Sequence, residues 1–203
     1  WSSDVCSSDL KEGSRWFYKG KRLNIYSAVD FAFSLSREAD YTAVVVIGVD
    51  SDNNIYVLDI ERFKTNKIVD YFKVIATLHS KWRFRKIQAE VTAAQKVIVE
   101  AIKDHLKKAG MVLSVVEYRP SKAEGSKEER IAATLEHRYE NYQMWHFEGG
   151  WTAILEEELI LARPPHDDIK DALASAVQIA VKPIKSGFNK LKDFMSTTNN
   201  RSR

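Results

Sequence analysis

The run Ala43-Val44-Val45-Val46-Ile47-Gly48-Val49 constrains the fold of this chain more than any other stretch. It is unbroken apolar sequence and mostly β-branched. Such side chains lose rotamer freedom in a helix and pack well on a pleated surface. Without a polar residue at every second position, the run reads as a strand buried inside a sheet. Its neighbours extend the pattern. Leu23–Asp30 is a largely apolar strand that ends in an acid, and Phe31–Ala39 reads as a turn. Asp50-Ser51-Asp52-Asn53-Asn54 is a loop of strong turn formers leading into a return strand, Ile55–Ile60. The result is an antiparallel three-strand meander.

The period then changes. Lys67–Trp82 carries Ile68, Tyr71, Phe72, Ile75 and Leu78 at helical spacing. Arg85–Glu90 is a short strand, again ending in an acid. Thr92–Ala109 is a second helix, with Ala94, Val97, Ile98, Ala101 and Leu106 on its apolar face and Gly110 closing it. Met111–Tyr118 is a further strand. Alternation of strand and helix requires crossovers and a partly parallel sheet. Arg119–Glu129 reads as an exposed loop, and Ser126-Lys-Glu-Glu as a capping box for a helix to about Glu140. Gln143–Phe147 is a short strand, and Trp151–Leu161 a helix with Ile154, Leu155, Leu159 and Ile160 inward. The predicted fold class is α/β, a mixed sheet of meander plus parallel strands flanked by helices.

Composition sets few further limits. The 203 residues suffice for one domain with tails, and a net charge of +3 permits a polyanionic partner without demanding one. The lone Cys6 rules out an internal disulfide, and an intracellular compartment is the natural reading. No apolar run reaches the roughly 18 residues of a membrane span, and the polar first ten residues are no signal peptide. Within them, Asp4–Leu10 resembles a translated sequencing adapter, so 1–10 is expected to be an extraneous leader. The domain is expected over 11–182. A basic, loosely ordered tail, with Lys185, Lys190, Lys192, Arg201 and Arg203, is expected over 183–203.

The chemistry gathers at Pro164-Pro165-His166-Asp167-Asp168-Ile169-Lys170-Asp171-Ala172-Leu173. The prolines end the preceding element. An Asp pair then opens a helix running to about Val181. Acids at a helix start cap free N–H groups and suit the dipole, which accounts for one or two of them but not for Asp171. Asp168 and Asp171 share a helix face, and Ala172, Ala174, Ser175 and Ala176 allow close packing on a sheet. Taken singly, Asp30 is an ordinary turn residue and Glu90 an ordinary acid before a helix. Taken together they end the first and fourth strands, and if those strands are adjacent and parallel both acids open at one edge of the sheet. A nest of carboxylates there suits hard divalent cations, and a pair of ions can activate water and stabilise the leaving oxygen of a phosphodiester.

This order of elements and acids resembles the ribonuclease H-like nuclease fold, and Asp168-x-x-Asp171-Ala-Leu-Ala resembles the last motif of Holliday-junction resolvases. The closer resemblance is to the nuclease domain of the large terminase subunit of tailed bacteriophages. It rests on Tyr26-Ser-Ala-Val-Asp30, Ala39-Asp-Tyr-Thr-Ala-Val, Gln88-Ala-Glu90, Lys127-Glu-Glu-Arg-Ile131 and His166-Asp-Asp-Ile-Lys-Asp-Ala-Leu, across roughly Lys21 to Val181. The resemblance implies an endonuclease that uses two Mg²⁺ or Mn²⁺ ions to cut double-stranded viral DNA concatemers during genome packaging, in the cytoplasm of the infected bacterium. It places the catalytic acids on Asp30, Glu90 and the Asp167/Asp168 pair, with Asp171 supporting. The spacing to Asp171 favours Asp168 over Asp167. It also implies a portal, a terminase small subunit and a packaging ATPase as partners. The chain has no G-x-x-x-x-G-K-[ST] loop of its own, so it is not expected to hydrolyse ATP. Lys122, Lys127 and Arg130 flank the expected site and are candidates for DNA phosphate contacts. Two alternatives stand beside this reading: a resolvase or transposase-like nuclease of the same fold, and a non-catalytic module that docks DNA or a portal.

Overall fold

The computed structural model describes residues 11–13, 15–32, 41–92, 95–161 and 163–184. The expected leader 1–10, most of the turn at 31–39 and nearly all of the 183–203 tail lie outside the described residues. In chain order the elements are β1 (Lys11–Glu12), β2 (Arg15–Tyr18), β3 (Lys21–Asp30), β4 (Thr42–Val49), β5 (Ile55–Phe63), α1 (Ile68–Trp82), β6 (Lys86–Glu90) and α2 (Gln95–Lys108). They continue with β7 (Ser114–Tyr118), α3 (Lys127–Glu140), β8 (Met144–Trp145), α4 (Thr152–Ile160) and α5 (Asp168–Gln178).

All eight residues of β4 are buried, and the sheet topology explains why. β4 lies between β3 and β5, antiparallel to both. Its side chains alternate between two cores. Val44 and Val46 join Leu23, Ile25, Ile75 and Leu78 under α1 and α2. Ala43, Val45, Ile47 and Val49 join Leu135, Leu155, Ile169 and Leu173 under α3, α4 and α5. A strand covered on both faces has no place for a polar residue, hence the continuous apolar run. Gly48 is part of the same fit: a Cβ there would stand 3.1 Å from Leu23 and 3.2 Å from Leu58.

β6 adds to β3 in parallel, and β7 to β6 in parallel. The expected mixed sheet, a meander with parallel strands and flanking helices, is the one observed. Several boundaries differ. β1 and β2 form a hairpin paired to the start of β3, although Arg15–Tyr18 is too short and too mixed to announce a strand. β7 begins at Ser114 rather than Met111, because Met111 and Leu113 pack against the core beside α2 without pairing. α5 stops at Gln178, three residues before Val181, whose backbone C=O accepts from the Asn24 side-chain amide and the Tyr26 hydroxyl. Val97 and Ile160, expected inward, are 69% and 82% exposed. α2 and α4 therefore pack through stripes narrower than their runs of apolar residues.

Candidate active site

Two strand ends and a helix start meet at one edge of the sheet. β3 and β6 pair in parallel as Ser27 with Ile87 and Val29 with Ala89. The next step in that register sets Asp30 beside Glu90. α5 packs over β3 and β4 through Ile169, Ala172, Leu173 and Ala176, all fully buried, and delivers its first turn to the same edge.

The acids of that first turn do not cap it. Asp167 stands at the N-cap position, yet its side chain makes no cap hydrogen bond. The free N–H of Lys170 is instead taken by Glu158 of α4, whose Oε2 accepts it at 2.8 Å. Burial pushes the Glu158 carboxyl up to about 7, although the Lys170 N–H works against the rise. With the cap supplied from another helix, Asp167 and Asp171 are left to face the strand ends.

Lys127 reaches into the acids. It is the first residue of α3, which is fixed by a reciprocal box: the Ser126 hydroxyl accepts from the Glu129 N–H, and the Glu129 carboxylate accepts from the Ser126 N–H. From there Nζ of Lys127 lies 3.0 Å from Oδ2 of Asp171, 3.2 Å from Oδ1 of Asp167 and 3.9 Å from Oδ2 of Asp30. One helical turn on, Arg130 stands 3.5 Å from Glu90. Burial, then the neighbouring Asp171, pushes the Asp30 carboxyl up to about 8, with Lys127 partly opposing. Glu90 is raised for the same two reasons, with Arg130 opposing. Burial would lower the Lys127 ammonium, but Asp171 and Asp30 reverse it and hold the group well above its ordinary value.

Asp168 has a different set of partners. It is 1% exposed. Its Oδ2 lies 3.2 Å from Nη2 of Arg62 on β5, and its Oδ1 accepts the Tyr41 backbone N–H at 3.1 Å. The Arg62 guanidinium also lies over the Tyr41 ring, 3.8 Å from its centroid, with Lys64 over the same ring at 4.2 Å.

Thus Asp30, Glu90, Asp167 and Asp171 gather around Lys127 and Arg130, and Asp168 lies beside them, tied to Arg62. Lys122 falls in a single helical turn, Lys122–Glu124, and its side chain lies outside the described residues. Among the described residues, no three acidic, histidine or cysteine side chains stand ready as a ligand group. The donors nonetheless suit a hard divalent cation, being carboxylate oxygens already gathered about the positive charges of Lys127 and Arg130. Arg62, Tyr41 and Glu158 escaped sequence reading. Arg62 lies in Asp59-Ile-Glu-Arg-Phe63, beyond Ile60, where the sequence pattern ends the return strand.

A mixed sheet with two acid-ended parallel strands and an acid-opened last helix defines a ribonuclease H-like nuclease fold. The large terminase nuclease from thermophilic phage G20c shares it with a TM-score of 0.51 at 19% identity, over 84% of this chain and 91% of that one. A family model described as the terminase RNaseH-like domain matches residues 27–179, and the chain belongs to that family. Two further solved structures are similar at lower scores. Thermus thermophilus RuvC in complex with a Holliday junction substrate gives 0.45 at 16% identity, over 75% of this chain and 90% of that one. The Fowlpox virus resolvase with Holliday junction DNA gives 0.48 at 14% identity, over 75% and 95%. No curated protein sequence matches the chain.

Proposed function

We propose that this chain is a metal-dependent endonuclease of a genome-packaging terminase, cutting double-stranded DNA concatemers. The observation that carries the reading is the meeting of Asp30, Asp167 and Asp171 around the Lys127 ammonium, with Glu90 beside them on Arg130, at the open edge of the sheet. These four carboxylates would hold Mg²⁺ or Mn²⁺, two ions in the family's chemistry. Such ions, when bound, supply a water nucleophile at neutral pH and stabilise the leaving oxygen. Asp168 serves this site through position: its bonds to Arg62 and to the Tyr41 N–H fix the start of α5, and so the placement of Asp167 and Asp171. Arg130 and Lys122 are suited to backbone phosphates, as low sequence specificity requires. A portal, a small subunit and a packaging ATPase are the partners that family membership suggests, with the infected bacterial cytoplasm as the setting. Among the described residues no helix is long and apolar enough to cross a membrane.

The test is nicking and linearisation of supercoiled plasmid by the purified chain with Mg²⁺, with Mn²⁺ and with EDTA. Cleavage that needs the ion and disappears in Asp30→Asn and Asp171→Asn supports the reading. Cleavage undiminished by EDTA would remove it. A four-way junction cut in preference to linear duplex would move the assignment to a resolvase.

A further inference from the structure

Lys127 is poorly placed for the phosphate contact that its sequence neighbourhood suggests. Three of the four carboxylates of the site lie within 3.9 Å of its ammonium, and only about a third of the side chain is exposed. An ammonium 3.0 Å from one of those oxygens repels a divalent cation brought to the same cluster and competes with it for their lone pairs. The lysine stem is long and flexible, and α3 anchors only its base. We infer that Lys127 is the resident counter-ion of the metal-free site and that it swings out to solvent when the carboxylates take a divalent ion. The ammonium keeps the acids together without metal and competes with metal for them. This inference rests on the metal-binding reading above.

Two consequences separate it from a lysine that merely packs. The amine of Lys127 becomes more reactive when metal is bound. Removing the ammonium also tightens metal binding while weakening the metal-free fold. The experiment is pulse acylation of the wild-type chain in EDTA and in saturating Mn²⁺. Modification of Lys127 is read by peptide mass spectrometry and normalised to Lys67, which is exposed. The expected result is a rise in relative labelling with Mn²⁺. Alongside it, Lys127→Met should bind Mn²⁺ at least about fivefold more tightly by calorimetry, the low end of ordinary coupling between sites, with a lower melting temperature in EDTA. Unchanged or slower labelling of Lys127 in Mn²⁺ overturns the inference, and does so from wild-type protein alone, whether or not the variant folds. If Mn²⁺ raises the melting temperature and supports cleavage but labelling stays flat, the counter-ion role falls and the nuclease reading stands. If Mn²⁺ produces no thermal shift and no cleavage, both fall.

Discussion

Asp30 shows what the cluster does to a single side chain. Its carboxyl is pushed up to about 8 in the fold, against about 3.9 in an unfolded chain. Between those values the folded state holds a proton that the unfolded state has released, so stability falls as pH rises from about 4 to about 8 and levels off above. Asp30→Asn removes that dependence. In EDTA, the stability of wild type relative to the variant should decline through this window, by no more than about 1.4 kcal/mol per pH unit. At the upper end the variant should be at least as stable as wild type, and inactive. Denaturant melts of both proteins across the window measure this, and a gap independent of pH would contradict it. Asp168 should behave in the opposite way. Asp168→Asn strips the partner from an Arg62 side chain that is 7% exposed. Breaking a buried pair on one side costs about 3 kcal/mol. The thermal gain from Mn²⁺ should persist in Asp168→Asn and vanish in Asp171→Asn. If Asp168→Asn loses the gain while keeping its stability, Asp168 is a metal ligand and not a pin.

At the scale of elements, the start of α5 depends on another helix. Glu158 of α4 is 2% exposed and accepts the Lys170 N–H. Glu158→Ala should cost about 1–2 kcal/mol, as loss of a helix cap does, and should speed hydrogen exchange in the first turn of α5. Glu158→Gln keeps a carbonyl acceptor and buries no charge, so it should stay within about 1 kcal/mol of wild type. Equal losses in the two variants would mean that the carboxylate, not the cap, matters there. This arrangement marks the reach of sequence reading. The Ser126 box was legible because cap and capped group lie three residues apart. The α5 cap was not, because its acceptor comes from twelve residues upstream across a Pro-Pro turn, and only the packing of α4 against α5 brings it near.

For the whole molecule, the question is where the fold ends. The Val181 C=O accepts from Asn24 at 2.8 Å and from Tyr26 at 3.3 Å, tying the segment after α5 to the first long strand. A chain stopped after Ile184 keeps both bonds. One stopped after Gln178 loses both bonds, about 2 kcal/mol in all, or roughly 4–8 °C for a domain of this size. Calorimetric scans of the two truncations decide the matter, and equal melting temperatures would show that neither bond contributes.

Local chemistry in the sequence determined the buried strand at Val44–Val46, the turn at Asp50–Asn54, the helices and their Ser126 and Gly110 boundaries, and the acids at the ends of β3 and β6. Each depends on neighbours a few residues away, so a continuous β-branched run, a cluster of turn formers or a helical period suffices to reveal it. Only the tertiary structure decided which charge meets which. Arg62 and Asp168 are 106 residues apart, and Tyr41 and Asp168 are 127 apart. Lys127 meets Asp30, Asp167 and Asp171 from a third element. Spacing placed Asp167, Asp168 and Asp171 on one helix start, but the direction in which each carboxylate is drawn depends on the cations that the packed sheet and helices bring to it. Those long-range electrostatic and hydrogen-bonding partners exist only once β3, β5, α3 and α5 have come together.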